Sequence, residues 1–237
     1  MTEAPGTSRE ASARLISVME RLKRLDTGSQ LPEHDARRVA VRNCGLFIGF
    51  SVMLLNILSV PEEGRCTEED FKKLIGLTTG TVQTAGEVLE KMSRLALVAL
   101  FQFQVENLFR NLITALGTEV GGEGYYHLVR SLVKSISLGE PDAKLDALDA
   151  LAHVRNSLHR NGIHWGYKGR SSRICIGGVR FDFVHGEKVS CAGWGHVAVL
   201  LAALTSVLEA VLAAPEIVSL TSPVRDEYAH RRSRAGE

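Results

Sequence analysis

Apolar side chains recur with a helical period along most of the chain. In the first such segment, Thr7 to Leu25, they stand three or four residues apart, and Thr7 or Ser8 is available to cap the helix. Turn clusters such as Asp26 to Pro32 separate it from further segments with the same period. The pattern predicts helices over residues 7–25, 33–58, 68–75, 84–116, 125–136, 141–161 and 195–213.

Between the last two of these helices the period of the apolar positions changes to two. Two alternating runs, Arg173 to Ile176 and Val179 to Phe183, flank Gly177 and Gly178, which is typical of a β-hairpin. A turn after the second run permits a third short strand through Ser190. The predicted fold class is therefore mainly α, a helical bundle with a small β-hairpin insertion between the last two helices.

The domain organisation follows from the lack of a clear linker or an internal repeat in the sequence. We predict a single domain over residues 1–224, in which N-terminal helices of residues 7–80 pack on a core of residues 84–220. A charged tail, residues 225–237, follows it.

One apolar stretch, Cys44 to Val60, has about the shortest length that could span a membrane. Its small and polar residues, among them Gly49 and Asn56, favour a buried core helix over a span. A membrane-associated protein anchored by this stretch is the alternative. The polar N-terminus, from Met1 to Ala13, lacks the apolar segment of a secretion signal, so we predict a cytoplasmic protein with no membrane partner.

Composition adds limits on the class of protein. A chain of 237 residues buries enough surface to fold without disulfides or metal, and its formal charge of +1 gives no strongly basic surface. The four cysteines form no CxxC pair and have no zinc-ligand spacing, which indicates free thiols in a reducing compartment. A small disulfide-rich secreted protein is excluded. The paired glycines belong to no phosphate-binding motif, and we predict no cofactor.

The candidate chemistry lies in the segment from His153 to Gly162. A helical projection places Arg155 within the apolar face of the predicted helix, with His159 one turn later and Asn156 at the same edge. An unpaired charge on an apolar face is costly, so a substrate or a partner must satisfy Arg155. The alternative is an ion pair with Glu106, which interrupts the apolar run of the long helix.

Aromatic and basic residues alternate directly after this helix. Arg160, Trp165, Lys168 and Arg170 are suited to stacking on bases and binding the phosphates of a single strand. The alternative is a solvated loop with a packed tryptophan. The histidines of this region do not form a helical HxxxH pair, so we predict no metal site.

The run Arg155-Asn156-Ser157-Leu158-His159-Arg160-Asn161-Gly162 follows a long helix that contains Val105-Glu106-Asn107-Leu108. In this combination residues 84–162 resemble the HEPN superfamily of helical RNase and RNA-associated domains. The resemblance implies that Arg155, Asn156 and His159 are catalytic, that RNA is cleaved without metal, and that two copies of the motif complete one site in a homodimer. Three residues separate Arg155 from His159, fewer than the family usually has.

These expectations define two classes of function. The first is a metal-independent endoribonuclease of the HEPN type, a bacterial toxin or antiphage defence effector that works as a homodimer on RNA and has an antitoxin or defence-system partner protein. The alternative is a non-catalytic helical module that binds RNA or protein, in which Arg155 and His159 serve the dimer interface or a partner.

Overall fold

The computed structural model describes residues 8–59, 69, 72, 73, 76 and 82–226. Its helices in this part of the chain are α1 (Ser8–Thr27), α2 (Ala36–Ser59), α3 (Val82–Ala115), α4 (Tyr125–Ser135), α5 (Pro141–His159), α6 (Trp194–Ala213) and α7 (Pro215–Val218). The first six agree with predicted helices, with ends that differ by a few residues. Most of the predicted helix 68–75 lies outside the described residues, as does the tail after Asp226.

Helix α7 is absent from the sequence prediction. Pro215 lies just after α6, and proline is unsuited to continue a helix because it lacks a backbone N–H. Proline is well suited to the first turn of a helix, where its missing N–H has no partner to lose. The chain uses both properties, since α6 ends at Ala213 and α7 begins at Pro215.

The predicted hairpin consists of β1 (Ser172–Ile176) and β2 (Val179–Phe183), an antiparallel pair. The turn between them is formed by Gly177 and Gly178, whose φ angles of 55° and 79° match a turn that favours glycine at both positions. The expected third strand does not form, since only an isolated bridge between Ile163 and Lys188 lies beyond the hairpin. The mainly α fold with a hairpin between α5 and α6 confirms the predicted fold class.

The core is built around α6 and α3. Helix α6 is almost free of charged residues, and it contacts α1, α3, α5, α7 and both strands. Helix α3 packs on α2, α4 and α5, while α1 and α2 pack on each other. The largest side chains fully buried between these elements include Phe101, Phe109, Phe181 and Phe183.

A buried ion pair fixes the start of α2 to the end of the chain's described part. The Arg37 guanidinium donates to both carboxylate oxygens of Asp35 at 2.9 and 2.7 Å, and to the Ile217 carbonyl at 3.1 Å. The Asp35 carboxylate also accepts a bond from the Val224 N–H at 3.1 Å. Burial raises the pKa of Asp35, but these bonds outweigh it and hold that pKa below its ordinary value. The hydrophobic pattern gave no sign of this pair.

Two helices are long and apolar enough to cross a membrane when judged by length and composition. They are α2, over Ala36–Ile57, and α6, over Trp194–Ala213. Inside the protein, 39% of the apolar window of α2 is buried, and 56% of that of α6. Buried core helices of soluble proteins satisfy the same criteria.

Candidate functional site

The last turn of α5 carries the candidate catalytic residues. The helix ends at His159, where the N–H groups of Arg160 and Gly162 both donate to the Ser157 carbonyl at 3.0 and 2.8 Å. Asn161 adopts a left-handed conformation, with φ of 55°, which is a common way to terminate a helix. Asn161 and Gly162 therefore end the helix close to the predicted boundary at residue 161, and the motif lies at this helical end.

Arg155, Asn156 and His159 lie on the outward side of this turn. Asn156 and His159 are exposed, Arg155 is half-buried, and an Arg155 guanidinium N–H donates to Asn156 Oδ1 at 3.0 Å. Arg155 and His159 are one helical turn apart because α5 continues without interruption between them. The three side chains therefore share one surface, which we call the α5 turn.

Arg155 was expected inside the apolar face of α5, and in the structure it is half-buried. Around it the buried positions are Leu151, Val154 and Ser157, whereas Leu158 is only half-buried. Both half-buried residues lie in the last turns of α5, where burial decreases toward the exposed His159. The guanidinium therefore reaches the surface at the end of the helix.

The alternative ion pair between Arg155 and Glu106 is wrong. Glu106 accepts a hydrogen bond from Arg110, one turn along α3, at 2.7 Å. Among the described residues, Arg155 has no carboxylate partner. Its remaining N–H groups are therefore available to another ligand, and Glu106 supports α3 and not the α5 turn.

The segment after the α5 turn, residues 160–171, forms what we call the basic loop. Trp165 and Tyr167 are 52% and 80% exposed, and the Lys168 ammonium lies 5.3 Å from the centre of the Tyr167 ring. Arg160 and Arg170 are exposed as well. The predicted Trp165 packing is partial, since its ring meets His185 edge-on at 5.2 Å.

The charges of the basic loop are not neutralised within the protein. In the described part of the chain, no carboxylate pairs with any of its cations, which are Arg160, Lys168 and Arg170. The nearby hairpin differs, because Arg173 and Arg180 both bind Asp182, at 2.7 and 2.6 Å. Unpaired cations next to exposed aromatic rings are typical of a surface that binds a single nucleic-acid strand.

One histidine attaches the basic loop to the rest of the fold. His164 is only 2% exposed, its N–H donates to the Glu187 carbonyl at 2.9 Å, and its carbonyl accepts from the Gly186 N–H at 2.7 Å. Gly166 permits the tight path that follows, since a Cβ there would lie 1.7 Å from the Arg170 carbonyl oxygen. The loop is thus held in one shape while its polar side chains stay exposed.

His164 belongs to a buried cluster of rings that sequence reasoning missed. Its ring lies 5.0 Å from that of His153 and 5.4 Å from that of Phe183. Burial, and then the neighbouring His153, His185 and Arg160, lower the pKa of His164. Burial also lowers the pKa of His153, against an opposing effect of Asp149. Residue spacing indicates metal ligands but not burial, so the sequence does not reveal this cluster.

The fold should therefore lose stability as pH falls from about 7.5 to 5. The pKa values of His153 and His164 lie below the ordinary histidine pKa of 6.5, so the unfolded chain binds more protons once pH drops below about 6.5. The folded-state pKa of Asp35 lies below 3.8, outside this window. We expect Tm to decrease over this range in calorimetry.

The matched variants separate this effect from a general loss of packing. His164→Phe removes one buried titrating group and an imidazole Nε2 that has no hydrogen-bond partner, so the pH dependence of Tm should become shallower. Trp165→Phe, on the same loop, keeps every histidine and should keep the wild-type dependence. A His164→Phe variant with an unchanged pH profile would contradict the assignment.

Within the described part of the chain, no three His, Cys, Asp or Glu side chains are grouped as metal ligands. No family model, curated protein or solved structure matches the chain.

Proposed function

We propose that this protein is a metal-independent endoribonuclease of the HEPN type that acts on single-stranded RNA at the α5 turn. The observation that carries the proposal is the arrangement of Arg155, Asn156 and His159 on one exposed turn, next to the unpaired cations of the basic loop. Arginine and histidine together supply the charge and the proton transfer that RNA cleavage needs.

The proposed chemistry uses the nucleophile that RNA itself carries. The 2′-hydroxyl oxygen attacks the adjacent phosphorus, its proton passes to a base, and the 5′-oxygen leaves with a proton from an acid. The products are a 2′,3′-cyclic phosphate and a free 5′-hydroxyl. A neutral imidazole of His159 can accept the first proton, and an imidazolium can donate the second.

Arg155 is proposed to stabilise the charge that builds on the phosphate oxygens. Its guanidinium is permanently charged and matches two oxygens of a phosphate, and burial of half the side chain restricts its freedom. Asn156 accepts one of its N–H groups, which orients the fork toward the surface that His159 shares. Asn156 is thus proposed to position Arg155 and to contact the ribose or phosphate.

One protomer supplies His159 as its single proposed acid–base group at this turn. The proposal therefore includes a homodimer in which α5 helices face each other, so that the partner's motif provides the complementary acid or base.

The basic loop is proposed to hold the strand on either side of the scissile phosphate. Trp165 and Tyr167 offer exposed ring faces for stacking, and Arg160, Lys168 and Arg170 lie close to them in sequence for phosphate contacts. Stacking tolerates any base, so we expect a preference for unpaired RNA and little sequence preference from this loop.

A non-catalytic RNA-binding module is the second candidate function. It is favoured by the basic loop alone, whose aromatic and cationic residues need no proton transfer to bind RNA.

In the cell, the proposed nuclease would act as a toxin or an antiphage defence effector, restrained by a partner protein. Expression should then be toxic, and variants of the α5 turn should relieve the toxicity.

The test is incubation of the full chain with a labelled, mixed-sequence single-stranded RNA in EDTA. Cleavage to products with 2′,3′-cyclic phosphates is expected, and an RNA with a single 2′-deoxy substitution should resist cleavage at that position. Tight binding without cleavage would select the second candidate. If the chain neither binds nor cleaves this RNA, both candidate functions are overturned.

A further inference from the structure

An exposed apolar stripe follows α2 on the side opposite its buried face. Leu46, Phe50 and Met53 are 53%, 63% and 54% exposed, and the half-buried Ile57 continues their spacing. The separations of four, three and four residues are those of the seam of a coiled coil. The stripe thus has the pattern of a helix face that packs on another helix.

A groove between α1 and α2 runs beside the stripe. It has a volume of about 390 Å³ and reaches from Met19 and Leu22 on α1 to the exposed side chains of the stripe. The helices approach closely at Gly49, where a Cβ would lie 3.3 Å from Met19 Sδ, whereas a Cβ at Gly45 would make an ordinary contact of 3.7 Å with Leu22 Cβ. The same face therefore has protruding side chains and a recess.

The apolar area of this face lies in the range of the largest patch on a typical monomer, a patch that is often functional. The stripe together with Ile16, which is 40% exposed on α1 one turn before Met19, has an exposed apolar area on the order of 400 Å². That is about half of what one partner buries in an interface of standard size. The polar side chains at the rim would supply the rest, so an association in the micromolar range is expected.

The charges at the rim carry both signs. Lys23 and Glu20 are one turn apart on α1, and in the described part of the chain neither has an ion-pair partner. Asp26 and Arg42 border the groove at the same end, 3.7 Å apart. A two-fold axis can place such opposite charges across from each other, whereas an anionic lipid surface would meet as many carboxylates as cations. The charge pattern favours a second copy of the chain over a membrane.

We propose that the α1–α2 face binds the same face of a second copy of this chain. A protrusion and a recess on one surface are what a two-fold interface requires, because each copy offers both. Phe50 of each protomer fills the groove of the other, and the two helix pairs form a four-helix layer. This inference is independent of the proposed function, since α2 packs on α1 and α3 whereas the candidate site lies on α5.

The test is the molar mass of the full chain at micromolar concentrations, measured by sedimentation equilibrium. Phe50→Glu should weaken association by at least tenfold, because it places a charge in the centre of the interface. Phe50→Leu should retain it. Tyr126→Glu, an equally exposed aromatic position on α4 at 55%, should behave like the wild type.

A variant of the other surface separates this proposal from the α5 homodimer. His159→Glu should remove only association through α5, and adding Phe50→Glu should then leave a monomer. If Phe50→Glu keeps the wild-type mass while His159→Glu loses it, the α1–α2 proposal is overturned and the α5 dimer stands. A wild-type chain that is monomeric also overturns the α1–α2 proposal. The same holds if that monomer binds phosphatidylserine vesicles and loses this binding in Phe50→Glu. Circular dichroism checks that each variant is folded.

Discussion

RNA cleavage by the His159→Ala variant is expected to fall by roughly 10²-fold or more, the scale of a lost general acid or base. Arg155→Ala should reduce the rate by a similar factor, because it removes the charge that stabilises the phosphorane. Wild-type activity should persist in EDTA. Initial rates on a short single-stranded RNA measure all three effects.

The controls for this prediction use surface residues of the same kinds. His127 is an exposed histidine on α4, and His127→Ala should cleave RNA at the wild-type rate. Since His159 is exposed and Arg155 half-buried, both substitutions should leave the fold intact. A wild-type rate for His159→Ala would reject the mechanism, as would complete loss of wild-type cleavage in EDTA.

The fold class could be predicted because local patterns and tertiary packing agree in this chain. In the hairpin, Ile174 and Ile176 alternate with exposed residues and are buried, and Phe181 and Phe183 do the same on β2. Glycines at the turn permit the positive φ angles that the hairpin needs. Each local choice supports the same structure, so periodicity was enough.

The candidate site was less predictable, since it depends on how elements far apart in sequence pack. Arg155 is only half-buried because it lies near the exposed end of α5, and a helical projection shows the face of a residue but not how much of it neighbouring elements cover. The role of His164 follows from its backbone bonds to Gly186 and Glu187, about 20 residues later in the sequence. A histidine close to a predicted hairpin was the available signal, but spacing alone does not reveal burial.

The buried ion pair of Asp35 and Arg37 was invisible for the same reason. Two charges two residues apart at a helix start usually indicate an exposed cap. Here the C-terminal segment covers them, and the exposed fractions of the side chains fall to 0% for Asp35 and 4% for Arg37. The pair receives its remaining bonds from residues that lie 180 or more positions away.

Arg37→Ala is expected to lower the free energy of unfolding by about 3–5 kcal/mol, because it leaves the Asp35 carboxylate buried without its charge partner. Asp35→Ala should cost a similar amount, since it leaves the Arg37 guanidinium and the Val224 N–H without their carboxylate acceptor. Urea denaturation of each variant measures the loss. Arg21→Ala is the control, because the ion pair that it breaks with Glu209 is partly exposed and should contribute at most about 1 kcal/mol.

The double variant Asp35→Ala with Arg37→Ala tests why the single changes are costly. If the cost is an unpaired buried charge, then removing both charges should cost less than the sum of the single alanine losses, with a coupling energy of about 0.5–3 kcal/mol. Additive losses would contradict this.

The pH profile gives an independent check. The pKa of Asp35 is lowered in the folded state, so the contribution of the pair is present above about pH 4 and is lost as pH falls through the folded-state pKa. Because the pair connects α2 to the chain after α6, its loss should release the segment around α7, and hydrogen exchange should rise at the Val224 amide before it rises in the core of α6.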